Sequence, residues 1–253
     1  MKRALIKYHH GLGDVIQLTP HLRHLYEDGY VTDIMGMAQN RTSHLLDECP
    51  YISDYFDIPN TWKSPLGFQA QLHTDIALFL KLSINYDWSG MANHIGINHT
   101  NKINFTSNEL KIGLFNNDKT VEVFIPKKSE KKVSDYIEKF YPNGYVFVHT
   151  QIEEHTYHNW DAIPWIRDHL SDLPIIDSGY GGEYYKWTDN INDVFVLARE
   201  ATHRVLSSSV MVHACDAMDV GIDVVNYGRP DRKIWLQNMG KVNMVRENGI
   251  WIN

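Results

Sequence analysis

Two glycines and a carboxylate stand together near the start of the chain, in the stretch Gly11-Leu12-Gly13-Asp14. Glycine adopts backbone conformations closed to other residues and lets a ligand approach closely, so Gly11 and Gly13 are expected to form an open turn. Asp14 falls where the next helix should begin, among amides that stabilise negative charge. A carboxylate in this position can remove a proton from a substrate hydroxyl. A plain helix cap and a catalytic base are both open interpretations of Asp14.

A run of serines in the second half of the chain, Ser207-Ser208-Ser209, precedes a predicted helix over 210–218. Hydroxyls and unpaired amides at a helix start bind phosphate, so Ser208 and Ser209 are candidates to hold a diphosphate. His213 belongs to the start of the same helix and can donate to the same anion. Ordinary helix capping with a core histidine is the alternative.

Further polar and aromatic side chains fall in loops after predicted strands, at the edge where open α/β sheets bind ligands. Those expected on the phosphate side are Thr150, Gln151, His158, Glu183 and Arg229, with Lys233 as an additional cation. Those expected to line the approach of a second substrate are His9, His10, Trp62 and Lys63, together with Lys7. The loop that carries Trp62 and Lys63, over 59–73, is long for a simple connection.

Alternating strand and helix patterns predict two α/β units that position these residues, 1–126 and 127–253, divided near Pro126. In the first unit the patterns predict strands over 3–8, 31–36, 54–58 and 75–80, and helices over 14–27, 41–48 and 87–96. In the second they predict helices over 129–141, 160–170 and 210–218, and strands over 144–149, 173–177, 193–197, 204–206 and 222–226, the last taken as the final core strand. This alternation implies parallel sheets with right-handed crossovers.

The length and composition of the chain argue against several classes of protein. The chain has 253 residues, of which 43% are hydrophobic and 22% charged, as in an ordinary soluble protein that can build two cores. No apolar run is long enough to span a bilayer and no signal peptide is evident, so a cytoplasmic location is expected. The formal net charge of -7 argues against a protein that coats nucleic acid, although it is compatible with a local basic groove.

Cofactor chemistry is also constrained. Ile16 stands where a dinucleotide fingerprint has its third glycine, which disfavours a nicotinamide-dependent oxidoreductase. Cys49 and Cys215 lie far apart and are expected to be buried thiols. No metal site is predicted, since a set such as His149 and the nearby histidines lacks an acidic or cysteine partner at a recognisable spacing.

In its order of motifs the chain resembles the heptosyltransferase-like glycosyltransferases of family 9. The family's Gly-Asp-Val/Ile-x-x-x-x-Pro segment is matched by the stretch from Gly13 to Pro20. The second unit is similar at Val148-His149-Thr150 before Trp160, at Gly181-Gly182-Glu183, and at the segment from Leu206 to Ala217. In that last segment the family usually carries Asp-Ser/Thr-Gly-x-x-His, whereas this chain has Ser208-Ser209-Val210-Met211-Val212-His213 and so keeps the hydroxyl and the histidine.

The resemblance implies a GT-B architecture, in which two Rossmann-like domains with parallel sheets face each other across a cleft. It implies that Asp14 is the general base of an inverting glycosyltransferase with no metal requirement and no cofactor other than a UDP- or ADP-linked sugar as co-substrate. Gly13 would then contribute to the donor site. The acceptor expected from the resemblance is a glycan or a lipid-linked saccharide.

Two alternatives accompany this expectation. Compact transferases of this type also modify hydroxymethylated bases in phage DNA, for which a base would be flipped into the cleft. A module that binds a nucleotide sugar without catalysis is the alternative from another class. No oligomeric state follows from the sequence.

Overall fold

The structure is a computed structural model that describes residues 1–8, 11–60, 63–92, 120–152, 159–170, 172–182, 190–228, 242–247 and 250–252. The chain divides into two compact units, Met1–Glu122 (unit 1) and Val123–Asn253 (unit 2). Each is an α/β unit built on its own sheet.

Unit 1 contains a four-stranded parallel sheet in the order β3-β2-β1-β4. Its elements along the chain are β1 (Lys2–Tyr8), α1 (Leu12–Ile16), α2 (Thr19–Glu27), β2 (Tyr30–Met37), α3 (Ala38–Thr42), β3 (Ile52–Ile58), α4 (Phe68–Ser83) and β4 (Trp88–Ala92). One core cluster joins Leu5 of β1 to Met35, Ile58 and Phe79, so α4 packs on the same face of the sheet as Leu5.

The helix expected over 14–27 is interrupted, and the prediction of one continuous helix is wrong. Pro20 has no N–H to donate to the carbonyl oxygen of Ile16, four residues earlier. The hydroxyl of Thr19 donates to that oxygen instead, at 2.7 Å. The missing N–H of Pro20 interrupts the helical hydrogen bonds, so α1 ends at Ile16 and α2 begins at Thr19.

Three other predictions in unit 1 are wrong. The run over 75–80, taken as a strand, lies inside α4, and the segment 87–96, taken as a helix, contains β4. The helix placed over 41–48 is instead α3, which ends at Thr42, before His44 takes a left-handed conformation (φ 63°). β4 is fixed by parallel pairing with β1, in which Ala4 is opposite Trp88.

Unit 2 contains a six-stranded sheet in the order β10-β9-β8-β7-β5-β6, parallel except for the β9–β10 pair. Its elements are α5 (Lys127–Phe140), β5 (Val146–His149), α6 (Ile163–His169), β6 (Ile175–Asp177), α7 (Ile191–Glu200), β7 (His203–Ser207), α8 (Val210–Ala217), β8 (Ile222–Asn226), β9 (Val242–Glu247) and β10 (Ile250–Ile252). The predicted α5, β5, α6, β6, β7, α8 and β8 are therefore present within a few residues.

Two predictions in unit 2 are wrong. The segment 193–197, taken as a strand, lies in α7, which Asn190 caps by accepting the N–H of Asn192 at 2.9 Å. The strand over 222–226 is not the last, because β9 pairs with it in parallel and β10 follows.

The buried Arg204 side chain caps the C-terminus of α7. The side chain is 9% exposed and donates to the carbonyl oxygens of Ala198 (2.5 Å), Arg199 (2.5 Å), Ala201 (2.7 Å) and Gly221 (3.2 Å). A cation at a helix C-terminus satisfies carbonyls that have no helical partner. Arg204 thereby ties α7 to the turn before β8.

Cys49 and Cys215 are both buried free thiols, as predicted. Burial raises the pKa of each to about 12, so both are protonated at neutral pH.

Candidate functional site

The carboxyl end of β1 lies at the point where the connectivity of the unit 1 sheet reverses. From β1 the chain proceeds to β2 and β3 on one side, and it then returns to place β4 on the other side. Open α/β sheets bind ligands outside the carboxyl ends of the strands at such a switch point. The Gly11–Asp14 turn follows β1 and therefore lies at this position.

Asp14 lies in the first turn of α1 and is half-buried. Its N–H donates to the oxygen of Gly11 at 3.0 Å, and the hydroxyl of Tyr8 donates to its main-chain oxygen at 3.1 Å. Burial, together with the Asp14 charge, raises the pKa of Tyr8 well above its ordinary value, so Tyr8 remains a neutral donor. A hydrogen bond from Tyr8 of β1 thus fixes the backbone of the turn at Asp14.

The special backbone conformation expected of Gly11 is not found, whereas close approach of a ligand at this position stays a prediction. Gly11 is the N-cap of α1 with φ -67° and ψ 171°, an extended conformation that any residue adopts. A Cβ built there would meet no atom of the described residues within 4 Å. Gly13 lies inside α1, among helical residues. Since neither the backbone nor the packing requires glycine at position 11, the open space beside it is the distinctive feature of the turn.

In unit 2 the switch point falls between β5 and β7. β5 leads outward to β6 on one side, whereas β7 leads to β8 on the other. Thr150 and Gln151 follow β5, and Ser208 and Ser209 follow β7, so these four predicted donor residues lie at one edge of one sheet. The hydroxyl of Ser207 donates to the oxygen of Thr150 at 3.2 Å and joins the two strand ends.

Ser209 is the N-cap of α8, and its hydroxyl oxygen accepts the N–H of Met211 at 3.3 Å. Two of the amides near this helix start already have main-chain partners. Ser208 donates its N–H to Asn226 at 2.9 Å, and Val212 donates its N–H to the oxygen of Ser209 at 3.2 Å. The hydroxyl groups of Ser208 and Ser209 are therefore the stronger candidates for anion contact, and both residues are half-buried.

His213 lies one turn into α8 and is 6% exposed. Thr150 is also buried, at 2% exposed, and its oxygen accepts the N–H of Trp160 at 3.3 Å. Of the predicted donor residues that the structure describes, Ser208, Ser209 and Gln151 are the ones with partly exposed side chains after the strands of this edge.

The loops after β5 and β6 are bonded to each other. Tyr180 donates its N–H to the oxygen of Gln151 at 2.8 Å, and Gly179 donates to the Asp177 carboxylate at 2.9 Å. A Cβ at Gly182 would lie 2.6 Å from the main-chain oxygen of Asp177, so glycine is required here because the turn after β6 folds back onto the end of that strand. Burial raises the pKa of Asp177, and the hydrogen bond from Gly179 partly offsets this by lowering it.

His149, at the end of β5, is held neutral. Ser178 donates its hydroxyl to the oxygen of Val148 at 3.2 Å and lies 3.1 Å from Nδ1 of His149. Burial lowers the pKa of His149 to about 4, so the imidazole carries no charge at neutral pH.

Gln151 and Asn159 close the base of the loop between β5 and α6. The Gln151 amide donates to the oxygen of Trp160 at 3.0 Å. The Asn159 side chain accepts the N–H of Ile152 at 2.6 Å and donates to the oxygen of Ile152 at 3.2 Å. Gln151 thus has a structural partner in addition to its predicted ligand role.

Among the predicted acceptor residues, Lys63 is exposed in the segment before α4. The other predicted site residues His9, His10, Trp62, His158, Glu183 and Arg229, and the additional cation Lys233, lie outside the residues that the structure describes. Asn226, Ser178 and Asn159 also organise this edge and were not predicted. Asn226 and Ser178 lie at or just after strand ends, which was the available signal, and Asn159 lies shortly before α6. Only long-range pairing shows which loops meet.

Within the described ranges, no group of three His, Cys, Asp or Glu side chains could hold a metal ion. Helices of the same ranges all fall short of the length and hydrophobicity needed to cross a bilayer. The cytoplasmic location and the absence of a metal requirement stay predictions.

Two mainly parallel α/β units, each with a ligand edge at its switch point, define the class of fold. Solved glycosyltransferases share it. A glycosyl transferase family 9 protein from Veillonella parvula matches with a TM-score of 0.62 and 11% identity, over 97% of this chain and 86% of its own. The E. coli ADP-heptose LPS heptosyltransferase II matches with a TM-score of 0.58 and 12% identity, over 98% of this chain and 90% of its own.

A third solved structure, E. coli heptosyltransferase WaaC with ADP-2-deoxy-2-fluoro heptose, matches with a TM-score of 0.52 and 13% identity, over 97% of this chain and 92% of its own. No protein-family model and no curated protein sequence matches the chain. The predicted α/β class with two parallel sheets and the resemblance to family 9 are confirmed at the level of fold. The opposition of the two units across a cleft stays a prediction.

Proposed function

We propose that this protein is an inverting glycosyltransferase that moves a sugar from a nucleotide-diphosphate sugar to an acceptor hydroxyl. The observation that carries the proposal is that Asp14 in unit 1, and Ser208 and Ser209 in unit 2, each lie at the switch point of their own sheet. The fold around them is shared with proteins whose printed names are glycosyltransferase and ADP-heptose heptosyltransferase.

Unit 2 would bind the donor. The hydroxyls of Ser208 and Ser209 donate to the diphosphate, and the N-terminus of α8 adds a favourable dipole. Preorganised donors of this kind stabilise the charge that develops on a leaving diphosphate without the help of a metal ion. UDP and ADP are the nucleotides expected from the resemblance, and WaaC was solved with an ADP-linked sugar.

Unit 1 would bind the acceptor and supply the base. The Asp14 carboxylate takes the proton of the acceptor hydroxyl, and the acceptor oxygen forms a bond to the anomeric carbon. The bond from that carbon to the diphosphate oxygen breaks in line, and the diphosphate leaves with the electron pair. Attack from the opposite face inverts the anomeric configuration. The proposal requires that the two sheet edges face each other when both substrates are bound.

The acceptor is proposed to be a glycan or a lipid-linked saccharide. The open space beside Gly11 and the exposed Lys63 both belong to unit 1, where the acceptor is placed. Hydroxymethylated DNA is the competing acceptor and enters the test as a separate arm.

The experiment has two stages. Thermal shift with UDP-sugars, ADP-sugars and nicotinamide cofactors identifies the donor, because a ligand that binds the folded state raises the melting temperature. The stabilising donor is then incubated with oligosaccharide, lipid-linked saccharide or hydroxymethylated DNA, with and without EDTA, and products are identified by mass spectrometry. Transfer in EDTA to a saccharide supports the proposal. Stabilisation by a sugar nucleotide with no transfer to any acceptor supports the non-catalytic module, and stabilisation by a nicotinamide cofactor alone contradicts both.

A further inference from the structure

Lys7 is a lysine in the middle of the unit 1 sheet with no exposed surface. It lies in β1 with Met35 of β2 and Met91 of β4 as its register partners. Burial of an amine in such surroundings opposes its charged form and lowers the pKa of Lys7, while the charge of Asp75 raises it. Asp75 is itself 2% exposed. Buried groups whose charges interact are weak evidence for stability, since apolar residues of similar volume often pack in such positions as well.

The position of the pair follows from how α4 crosses the sheet. α4 connects β3 to β4, which are parallel, so it runs from the carboxyl edge of the sheet back to the amino edge. Leu5 and Lys7 share one face of β1, and Leu5 packs in the cluster that contains Phe79. Asp75 is one helical turn before Phe79 and therefore lies closer to the carboxyl edge, level with Lys7.

Hydrogen bonds continue from this pair toward the edge. Gln71, one turn before Asp75, donates its side-chain amide to the Asp75 carboxylate at 2.7 Å. Ser64 donates its hydroxyl to the Gln71 side-chain oxygen at 2.9 Å. The series of side chains consists of Lys7, Asp75, Gln71 and Ser64, and is called here the polar column.

The last member of the polar column organises the segment 63–67. The Ser64 hydroxyl oxygen accepts the N–H of Leu66 at 3.2 Å, and the Ser64 carbonyl accepts the N–H of Gly67 at 3.0 Å. Gly67 has φ 80°, a conformation that favours glycine, and it is the N-cap of α4. The exposed Lys63 belongs to this segment. The polar column therefore connects the strand that leads into the Asp14 turn with the segment that carries Lys63.

We propose that the polar column is a positioning device, which fixes the segment 63–67 at the carboxyl edge of the unit 1 sheet and thereby sets the affinity for the acceptor. The role in acceptor binding rests on the proposed function, whereas the role in fixing the segment does not. Lys7 acts through its neighbours and touches no substrate.

The test compares Lys7→Met and Gln71→Leu with the matched control Phe79→Leu in the full-length protein. Phe79 lies on the same face of α4 but is not part of the polar column. Its variant therefore loses core packing while the hydrogen bonds of the polar column remain. Hydrogen–deuterium exchange of the peptide that covers 63–67 is expected to rise about 3- to 10-fold in Gln71→Leu, the factor that one net hydrogen bond represents. It is also expected to rise in Lys7→Met, which removes the charge that acts on Asp75. It is expected to remain at the wild-type rate in Phe79→Leu, and Ser64→Thr, which keeps the hydroxyl, should also preserve it.

In transfer assays, Gln71→Leu should raise the acceptor KM by a similar factor, with kcat and donor binding unchanged. Unchanged exchange at 63–67 in both column variants, or an equal rise in Phe79→Leu, would overturn the proposal. A normal acceptor KM in Gln71→Leu with raised exchange would overturn the link to acceptor affinity. If the wild type transfers no sugar at all, the proposed function fails, and the exchange result still decides whether the column fixes the segment.

Discussion

The hydroxyl of Ser207 donates a hydrogen bond of 3.2 Å to the main-chain oxygen of Thr150. Ser207 is the last residue of β7, and Thr150 is the first residue after β5. These strands are neighbours, but the chain continues from them to opposite sides of the sheet. The bond joins the two sides of the unit 2 switch point and leaves Ser208 and Ser209 as the next residues at that edge.

Asp14→Asn should abolish transfer while leaving donor affinity within about twofold, because the amide keeps the shape of the side chain but cannot accept a proton. Calorimetric titration with the donor found by thermal shift, and a product assay, measure the two effects. Full activity in Asp14→Asn would remove Asp14 from the mechanism.

Gly11→Ala should leave the melting temperature unchanged and reduce transfer. The backbone at Gly11 suits any residue, and the added methyl group would enter the open space beside the turn. Gly182→Ala is the contrasting variant, since its Cβ would meet the oxygen of Asp177 at 2.6 Å and the loop would have to shift. Thermal melts and initial rates of both variants provide the check. A loss of stability in Gly11→Ala equal to that in Gly182→Ala would contradict the account of the turn.

Ser209→Ala should lower the free energy of unfolding by about 1 kcal/mol through loss of the cap on Met211, and should also weaken donor binding. Asn190→Ala is the matched control. It removes the cap of α7, at a similar cost in stability, from a helix that the donor is not proposed to touch. Ser208→Ala should weaken donor binding with little change in stability. Equal donor affinity in all three variants would show that the hydroxyls do not hold the diphosphate.

Arg204→Met should destabilise unit 2 by about 3 kcal/mol or more, because the carbonyl oxygens of Ala198, Arg199 and Ala201 would lose their donor inside the core. Urea unfolding followed by fluorescence measures the change. A loss below about 1 kcal/mol would mean that water reaches the end of α7 and replaces the guanidinium.

His149 should make stability depend on pH between about 6.5 and about 4. The folded pKa is below the ordinary value, so the contribution is complete above 6.5 and is lost as the pH falls, because the unfolded chain takes up a proton first. The loss is at most about 3 kcal/mol. The raised pKa of Asp177 has the opposite effect on stability, which it increases as the pH falls toward the acidic end of this range. The quantity to measure is therefore the difference in stability between the wild type and His149→Gln. An identical pH profile for the two proteins would contradict the assignment.

Local patterns were sufficient for part of this fold. The strand before Gly11 and the helix after Ser209 were predictable because each has a strong local signal, a β-branched apolar run in one case and a capping serine in the other. The same signals placed Asp14 and Ser209 at helix starts, where the structure has them.

In α4 and α7 the apolar pattern led to a wrong prediction of strands. The residues of α4 that face the core include Gln71 and Asp75, while Leu78 (41% exposed) and Leu80 (57%) face outward. Polar residues are buried here because Lys7 of β1 lies opposite, a long-range circumstance that no local window contains. In α7 the four consecutive residues Phe195 to Ala198 are all buried, so this short apolar run with its valines resembled a buried strand.

The two sheets repeat one arrangement of strands, in which the chain first extends to one side and later returns to the other. The position of each candidate ligand edge is thus decided by the route of the main chain and not by the side chains that occupy it. Identity of 11–13% with solved transferases is compatible with this, since side chains can diverge until no sequence model detects them while the route persists. The likeness to these structures therefore lies in the order and direction of the strands, and only slightly in the residues.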